Sequence, residues 1–292
     1  VLAVSVSECG GGGGIHGKAE DLYGGADGKR ISLAGDWKYR IGLSLKGFPP
    51  APVSPIQSSS YPTVLFNAMV KPWTAFPIKG VIWYQGEANV GRPEQYGDLF
   101  PALITDWRRQ WRSDFPFYFV QLANFMESKK IQPDSEWAAL REAQTKALKL
   151  DQVGMAVTID IGLADDIHPK NKQEVGRRLA LVALAGSYGK NVSSSAPVFQ
   201  NYIIKGNKME LDFGQKQDGF QIKGTTLKGF TIAGPDRVFY PAEAMVHDGK
   251  IILSSTEVPA PLAARYGWAD NPDCNLYGEN GLPVAPFRTD CW

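Results

Sequence analysis

From residue 78 onward, apolar positions fall into a repeating order. Residues 78–84 form an apolar run and predict a strand. Residues 93–111 predict a helix, with Pro93 suited to its first turn. A second apolar run covers 117–123. Residues 135–150 then place Leu140, Ala143, Ala147 and Leu148 on one helical face. A third run covers 154–160, and 171–188 predicts a helix whose Asn171 and Glu174 have capping-box spacing. Three strand–helix units in succession predict a parallel sheet covered on both faces. After about residue 190 the period shortens. Segments 208–213, 230–233 and 250–254 alternate between turn residues, which predicts a β-rich C-terminal region.

The first 77 residues are less regular. Residues 1–8 alternate as a half-buried strand does, and Gly10 to Gly14 are consecutive glycines. No helix with a Lys-Ser/Thr pair follows, so a phosphate-cradling loop is not supported. Residues 31–45 read as strand and turn. Residues 46–62 carry Pro49, Pro50, Pro52, Pro55 and Pro62 among serines and read as an extended connector, and a short helix is expected to run from there to Met69. The chain opens on Val1 inside an apparent strand, and the expectation is an internal piece of a longer protein.

Candidate chemistry sits at two predicted strand ends. The third strand leads into Asp165-Asp166-Ile167-His168-Pro169, before the last helix. Open α/β sheets place ligands at the carboxyl ends of their strands. An aspartate just before a histidine can accept one ring proton and hold the other nitrogen toward a nucleophile. The same residues would also serve as a solvated loop with a capping acid. The first strand ends in Gln85-Gly86-Glu87-Ala88-Asn89, where amide donors and a glycine could face a developing oxyanion or could form a plain turn.

Composition narrows the classes. The chain has 292 residues, is 43% hydrophobic and 21% charged, and carries a net charge of +1 with no basic run, so nucleic-acid binding has no electrostatic support. No apolar run approaches the ~20 residues that span a bilayer. Cys9, Cys274 and Cys291 lack metal-type spacing, and His16 and His247 stand apart in loop-like surroundings, so no metal site is expected. Cys274 and Cys291 could pair or stay as free thiols.

Both loops, together with Phe115-Pro-Phe-Tyr-Phe-Val-Gln-Leu-Ala-Asn124, Trp137-Ala-Ala-Leu-Arg-Glu-Ala-Gln144, the block from Asp166 to Gly176 and the tail from Asn275 to Asp290, give a chain that resembles the sialate O-acetylesterase family of SGNH-type hydrolases. The resemblance runs from about residue 31 to the end. It implies a flavodoxin-like three-layer α/β/α domain, incomplete here, with the β-rich region behind it. It implies hydrolysis of acetyl esters on sialic acids through a serine acyl-enzyme, with no cofactor or metal. The substrate would be an O-acetylated sialic acid or related sugar, with no nucleic-acid or membrane partner. His168 would be the general base, Asp165 the first choice to orient it and Asp166 its competitor. Gln85, Gly86 and Asn89 would wall the oxyanion and acyl pocket, and Glu87 would support that loop.

The family's Gly-Gln-Ser-Asn-Met nucleophile motif does not occur in this sequence. Ser5 and Ser7 precede no helix and do not fit a nucleophile turn. The expected organisation is therefore a remnant of an inserted β-sandwich with a Gly-rich linker at 1–30, the C-terminal part of the hydrolase domain at 31–190, and the β-rich region at 191–292. The nucleophile is expected on an upstream segment of the same protein, and the 292 residues alone are expected to be inactive. Acetylxylan or another plant polysaccharide is an alternative substrate, and a silent carbohydrate-binding protein an alternative role. An exported or lysosomal site is expected. Arg92, Arg141 and Arg265 are candidates for a sugar carboxylate, and Trp83, Tyr84 and Trp268 for sugar stacking or for core.

Overall fold

The computed structural model describes residues 18–25, 29–38, 61–214 and 219–292. The chain divides into two compact units, residues 1–61 and 62–292. In the first, β1 (Tyr23–Gly24) and β2 (Ile31–Ser32) pair antiparallel, and the Arg30 guanidinium lies 3.6 Å from the centre of the Tyr23 ring. The strand expected at 1–8, the glycine run, Ser5, Ser7 and the proline-rich connector up to Ser60 lie outside the described residues.

The second unit opens with helical turns from about residue 64 to Trp73 and then the predicted units: β3 (Val81–Trp83), α1 (Pro93–Trp111), β4 (Phe117–Val120), α2 (Glu136–Thr145), β5 (Val153–Ala156) and α3 (Lys172–Gly186). The sheet is parallel in the order β3-β4-β5. Alternation along β4 decides its packing. Phe117 and Phe119 join Phe100, Ile104, Trp137 and Leu140 beneath α1 and α2, whereas Tyr118 and Val120 join Val175, Leu179 and Val182 of α3. Every residue of β4 is buried, as expected of a central parallel strand.

The strands are shorter than the apolar runs. Residues 157–160 leave the sheet because their polar groups are used elsewhere: Thr158 Oγ1 donates to the Gln121 carbonyl (2.6 Å), and the Val157 carbonyl and Asp160 carboxylate accept from Arg178. Capping follows the sequence. The Ser135 hydroxyl accepts from the Ala138 N–H and the Asn171 side chain from the Glu174 N–H, each at a helix start.

The C-terminal region comprises β6 (Asn201–Lys205), β7 (Lys208–Asp212), β8 (Phe220–Ile222), β9 (Phe230–Ala233), β10 (Phe239–Pro241), β11 (Glu243–His247), β12 (Lys250–Ser254), β13 (Ala263–Tyr266), β14 (Leu276–Gly278) and β15 (Phe287–Arg288). Two antiparallel sheets, β10-β9-β13-β15 and β11-β12-β7-β6, share one core, in which Met209, Leu211, Ile251 and Leu253 meet Phe230, Ile232 and Tyr266. Polar contacts bind this region to the parallel sheet. Arg141, fully buried on α2, donates to the carbonyls of Leu122, Ala123, Ala269 and Asp270. The Asp270 carboxylate accepts from Ser135 Oγ (2.6 Å) and Gln132. Cys274 and Cys291 are free thiols.

Candidate active site

The carboxyl ends of β3, β4 and β5 open into three loops, 85–92, 121–127 and 157–171. With β4 between them, β3 and β5 are separated by two strand spacings, roughly 10 Å.

The first loop is held from behind. Gln144 on α2 accepts the Leu122 N–H (2.9 Å) and donates to the Gln85 carbonyl (3.3 Å). The Tyr96 hydroxyl lies 3.2 Å from both the carbonyl and the side-chain oxygen of Gln85, and Gln85 Nε2 donates to Asn89 Oδ1 (2.7 Å). Gly86 is buried against this brace. A Cβ there would stand 3.1 Å from Gln144 Nε2 and 3.3 Å from methyl groups of Leu122 and Leu140, so the position is filled up to the backbone. Gln85, Gly86 and Asn89 are thus brought together. Among the described residues, the Gly86 N–H and the side-chain Nδ2 of Asn89 have no acceptor, which leaves two donors for a developing negative charge.

The Glu87 side chain, expected to hold the loop by hydrogen bonds, makes none with a described residue; only its backbone carbonyl accepts, from the Val90 N–H (3.2 Å). Tyr96 and Gln144 do that work. The Glu87 charge adds to burial, the larger cause, in raising the Tyr84 phenol to about 12 and that of Tyr96 above its ordinary value.

The third loop is open. His168 has a side chain 87% exposed, and its Nδ1 lies 3.5 Å from Asp166 Oδ1. The same oxygen accepts the His168 backbone N–H at 2.9 Å. It is therefore Asp166 that faces the ring, while Asp165, the first choice on spacing, is exposed and contacts no described residue through a hydrogen bond or ion pair. The cause is local: the carboxylate two residues before His168 closes a turn onto its N–H and so comes to lie by Nδ1. No described serine hydroxyl hydrogen-bonds His168.

Below this loop, Arg178 reaches both Asp160 oxygens (2.6 and 2.9 Å) and Glu174 (2.7 Å), and Arg177 pairs with Glu174 as well. The hydrogen bond from Arg177 is the largest cause that holds the Glu174 carboxyl down at about 2. The Tyr277 hydroxyl donates to Asp160 at 3.1 Å.

Two of the arginines considered for a sugar carboxylate are already committed. Arg141 lies among carbonyls, and burial lowers its guanidinium to about 9. Arg265 pairs with buried Asp290 (2.6 Å). Arg92 is exposed at the start of α1. Trp83 packs against Phe100, Trp107 and Phe117, which makes it core, and Trp268 lies beneath the Arg265 and Arg288 guanidiniums. Sequence reasoning missed Gln144. Its signal was present, since a polar residue sits beside the apolar face of α2.

The comparisons with known proteins agree with this architecture. Residues 53–185 match the family described as "Carbohydrate esterase, sialic acid-specific acetylesterase". The sialate O-acetylesterase of Pongo abelii is 33% identical over 284 residues, which cover 86% of this chain and 54% of that protein. The human sialate O-acetylesterase is 32% identical with the same coverage, and that of Rattus norvegicus 29% identical over 81% of this chain and 48% of its own length. The crystal structure of a carbohydrate acetylesterase from Xanthomonas citri superposes with a TM-score of 0.75 at 46% identity, over 79% of this chain and 55% of that one. The chain thus spans about half the length of the relatives it matches. By these matches, on an α/β sheet with this arrangement of strand-end loops, the chain is similar to the sialic acid-specific acetylesterase family of carbohydrate esterases.

Proposed function

We propose that this chain supplies the acid–base and oxyanion parts of an esterase that removes O-acetyl groups from sialic acids, in an exported or lysosomal compartment. The observation that carries the reading is the pairing of His168 and Asp166 on one strand-end loop with the free Gly86 and Asn89 donors on another. In this reading His168 Nε2 takes the proton of a serine as the serine oxygen attacks the acetyl carbonyl, and Asp166 stabilises the imidazolium through Nδ1. Gly86 N–H and Asn89 donate to the carbonyl oxygen as it becomes an oxyanion. The sugar oxygen leaves with the proton from His168, and water then releases acetate from the serine by the same steps.

The serine is assigned to an upstream segment of the protein. Strand β3 supports this. It pairs only with β4 among the described residues, and Ile82 on it is 71% exposed, so a further strand has an apolar edge to join.

The test is to express the 292 residues alone and together with the upstream coding segment, and to assay both on O-acetylated sialic acid and on acetylated xylan. Turnover of the sialic acid ester is expected only with the upstream segment. His168→Ala in that protein lowers kcat by about 10³-fold, and Asp166→Asn lowers it more than Asp165→Asn. Near wild-type turnover by His168→Ala, or activity of the 292 residues alone, would overturn the assignment.

A further inference from the structure

We propose that Asn124 is a positioning residue for the His168 loop and that it acts together with Asn271 of the C-terminal region. The proposal rests on the esterase reading for its kinetic consequence and on geometry for its structural one.

His168 and Asp165 are exposed, Asp166 bonds only within its own turn, and Ile167 gives the loop an apolar contact with the core but no polar one, so any polar tether of its backbone lies elsewhere. The tether is at its root. Asn124, just past β4, accepts the Gly162 N–H on Oδ1 (2.6 Å) and donates from Nδ2 to Asn271 Oδ1 (2.7 Å). Asn271 completes the chain by donating to the Met126 carbonyl (2.7 Å). Beside it, the Met126 N–H donates to the Ala164 carbonyl (3.1 Å), and Phe125 and Leu163 form a parallel bridge. Residues 124–126 and 162–164 thus run side by side just before Asp165.

The chemistry of the side chain is specific. An amide accepts from one neighbour and donates to another at once, which a carboxylate or leucine of similar size cannot do. Gly162 is required on the opposite side, because a Cβ there would collide with the Asn124 carbonyl. A general base has to be held within a fraction of an ångström of its working geometry, and displacement by about 1 Å can cost about 10²-fold in rate. Asn124 touches no reacting atom in this arrangement. It fixes where Asp166 and His168 begin.

The experiment has two arms. Hydrogen exchange on the 292-residue chain is measured for wild type, Asn124→Leu and Asn124→Asp. Amides in 162–168 are expected to exchange at least ~10-fold faster in Asn124→Leu, by loss of local protection, and to stay slower in Asn124→Asp, which retains the acceptor for Gly162. Kinetics on the protein with its upstream segment are expected to show kcat lowered about 10- to 100-fold in Asn124→Leu with KM little changed, and lowered less in Asn124→Asp, which keeps the acceptor for Gly162 but loses the donor to Asn271. Unchanged exchange at 162–168 in Asn124→Leu overturns the proposal, as does faster exchange with unaltered kcat. An upstream-extended protein that turns over no acetyl ester overturns the esterase reading instead, and the exchange arm still decides whether Asn124 holds the loop.

Discussion

The two loops that would share the chemistry are built in opposite ways. Residues 85–89 rest on a buried floor, where Gln144 and Tyr96 bind the Gln85 backbone and Gly86 is packed on its Cα side. Residues 162–168 have no such polar floor, and only Ile167 among them packs against the core beneath α1 and α2. They are pinned at one end through Asn124 and capped at the other by α3, with His168 out in solvent between. A donor for an oxyanion has to be rigid before the charge forms, because its value comes from preorganisation. A general base has to accept and return a proton, and it tolerates exposure until substrate covers it. The difference in bracing is the one that the two proposed tasks call for.

This contrast can be broken at three depths. The deepest is Arg141, whose guanidinium holds the Leu122 and Ala123 carbonyls beneath both loops. Arg141→Met leaves the buried Leu122 and Ala269 carbonyls without their donor, whereas those of Ala123 and Asp270 keep Trp137 Nε1 and the Phe125 N–H, and is expected to cost about 2–4 kcal/mol, read from urea unfolding, with faster exchange in both loops. Gln144→Ala should be selective. It removes a brace of 85–89 and the acceptor of the Leu122 N–H, with an expected loss of about 1–2 kcal/mol and amide exchange rising at 85–89 and at Leu122 but not at 162–168. Equal loosening of both would show that the floor is common to the two.

The smallest effect lies at Glu174. Its carboxyl is lowered from 4.5 to about 2 in the fold, mainly by the Arg177 hydrogen bond. A lowered folded value means that the stabilisation is fully present above the unfolded value, and is lost as pH falls from about 4.5 toward 2. The pair is partly solvated, so the contribution stays under about 1 kcal/mol. Wild type should exceed Glu174→Gln in stability at pH 7, and the gap should close over that acidic window in parallel melts. A gap that widens in acid would mean the sign is reversed.

Much of this frame was legible in the chain. The parallel units follow from apolar runs alternating with helical periods, and the caps at Ser135 and Asn171 follow from residue type and position, because both signals are local. Asp166 and Asp165 could not be ordered from spacing alone, since the ranking depends on which carboxylate the backbone turn brings to Nδ1. From sequence, Arg141 stands with Arg92 and Arg265 as an unranked candidate for a sugar carboxylate. Its burial depends on carbonyls at 269 and 270, which local sequence cannot signal. The same holds for Asn124, whose partner Asn271 is 147 residues away.

That last separation bears on the order in which the molecule assembles. The β3-β4-β5 ladder joins consecutive strands and can form from nearby segments, whereas contacts between distant residues form late in folding because long loops must close first. Asn271 would leave the ribosome well after the histidine loop has been made. Until it arrives, Asn124 lacks its acceptor, and Arg141 lacks the carbonyls of Ala269 and Asp270. The nascent chain would then hold a formed sheet whose strand-end loops stay unfinished until residues 269–271 join them, so completion of this edge depends on a segment outside the sheet that bears it.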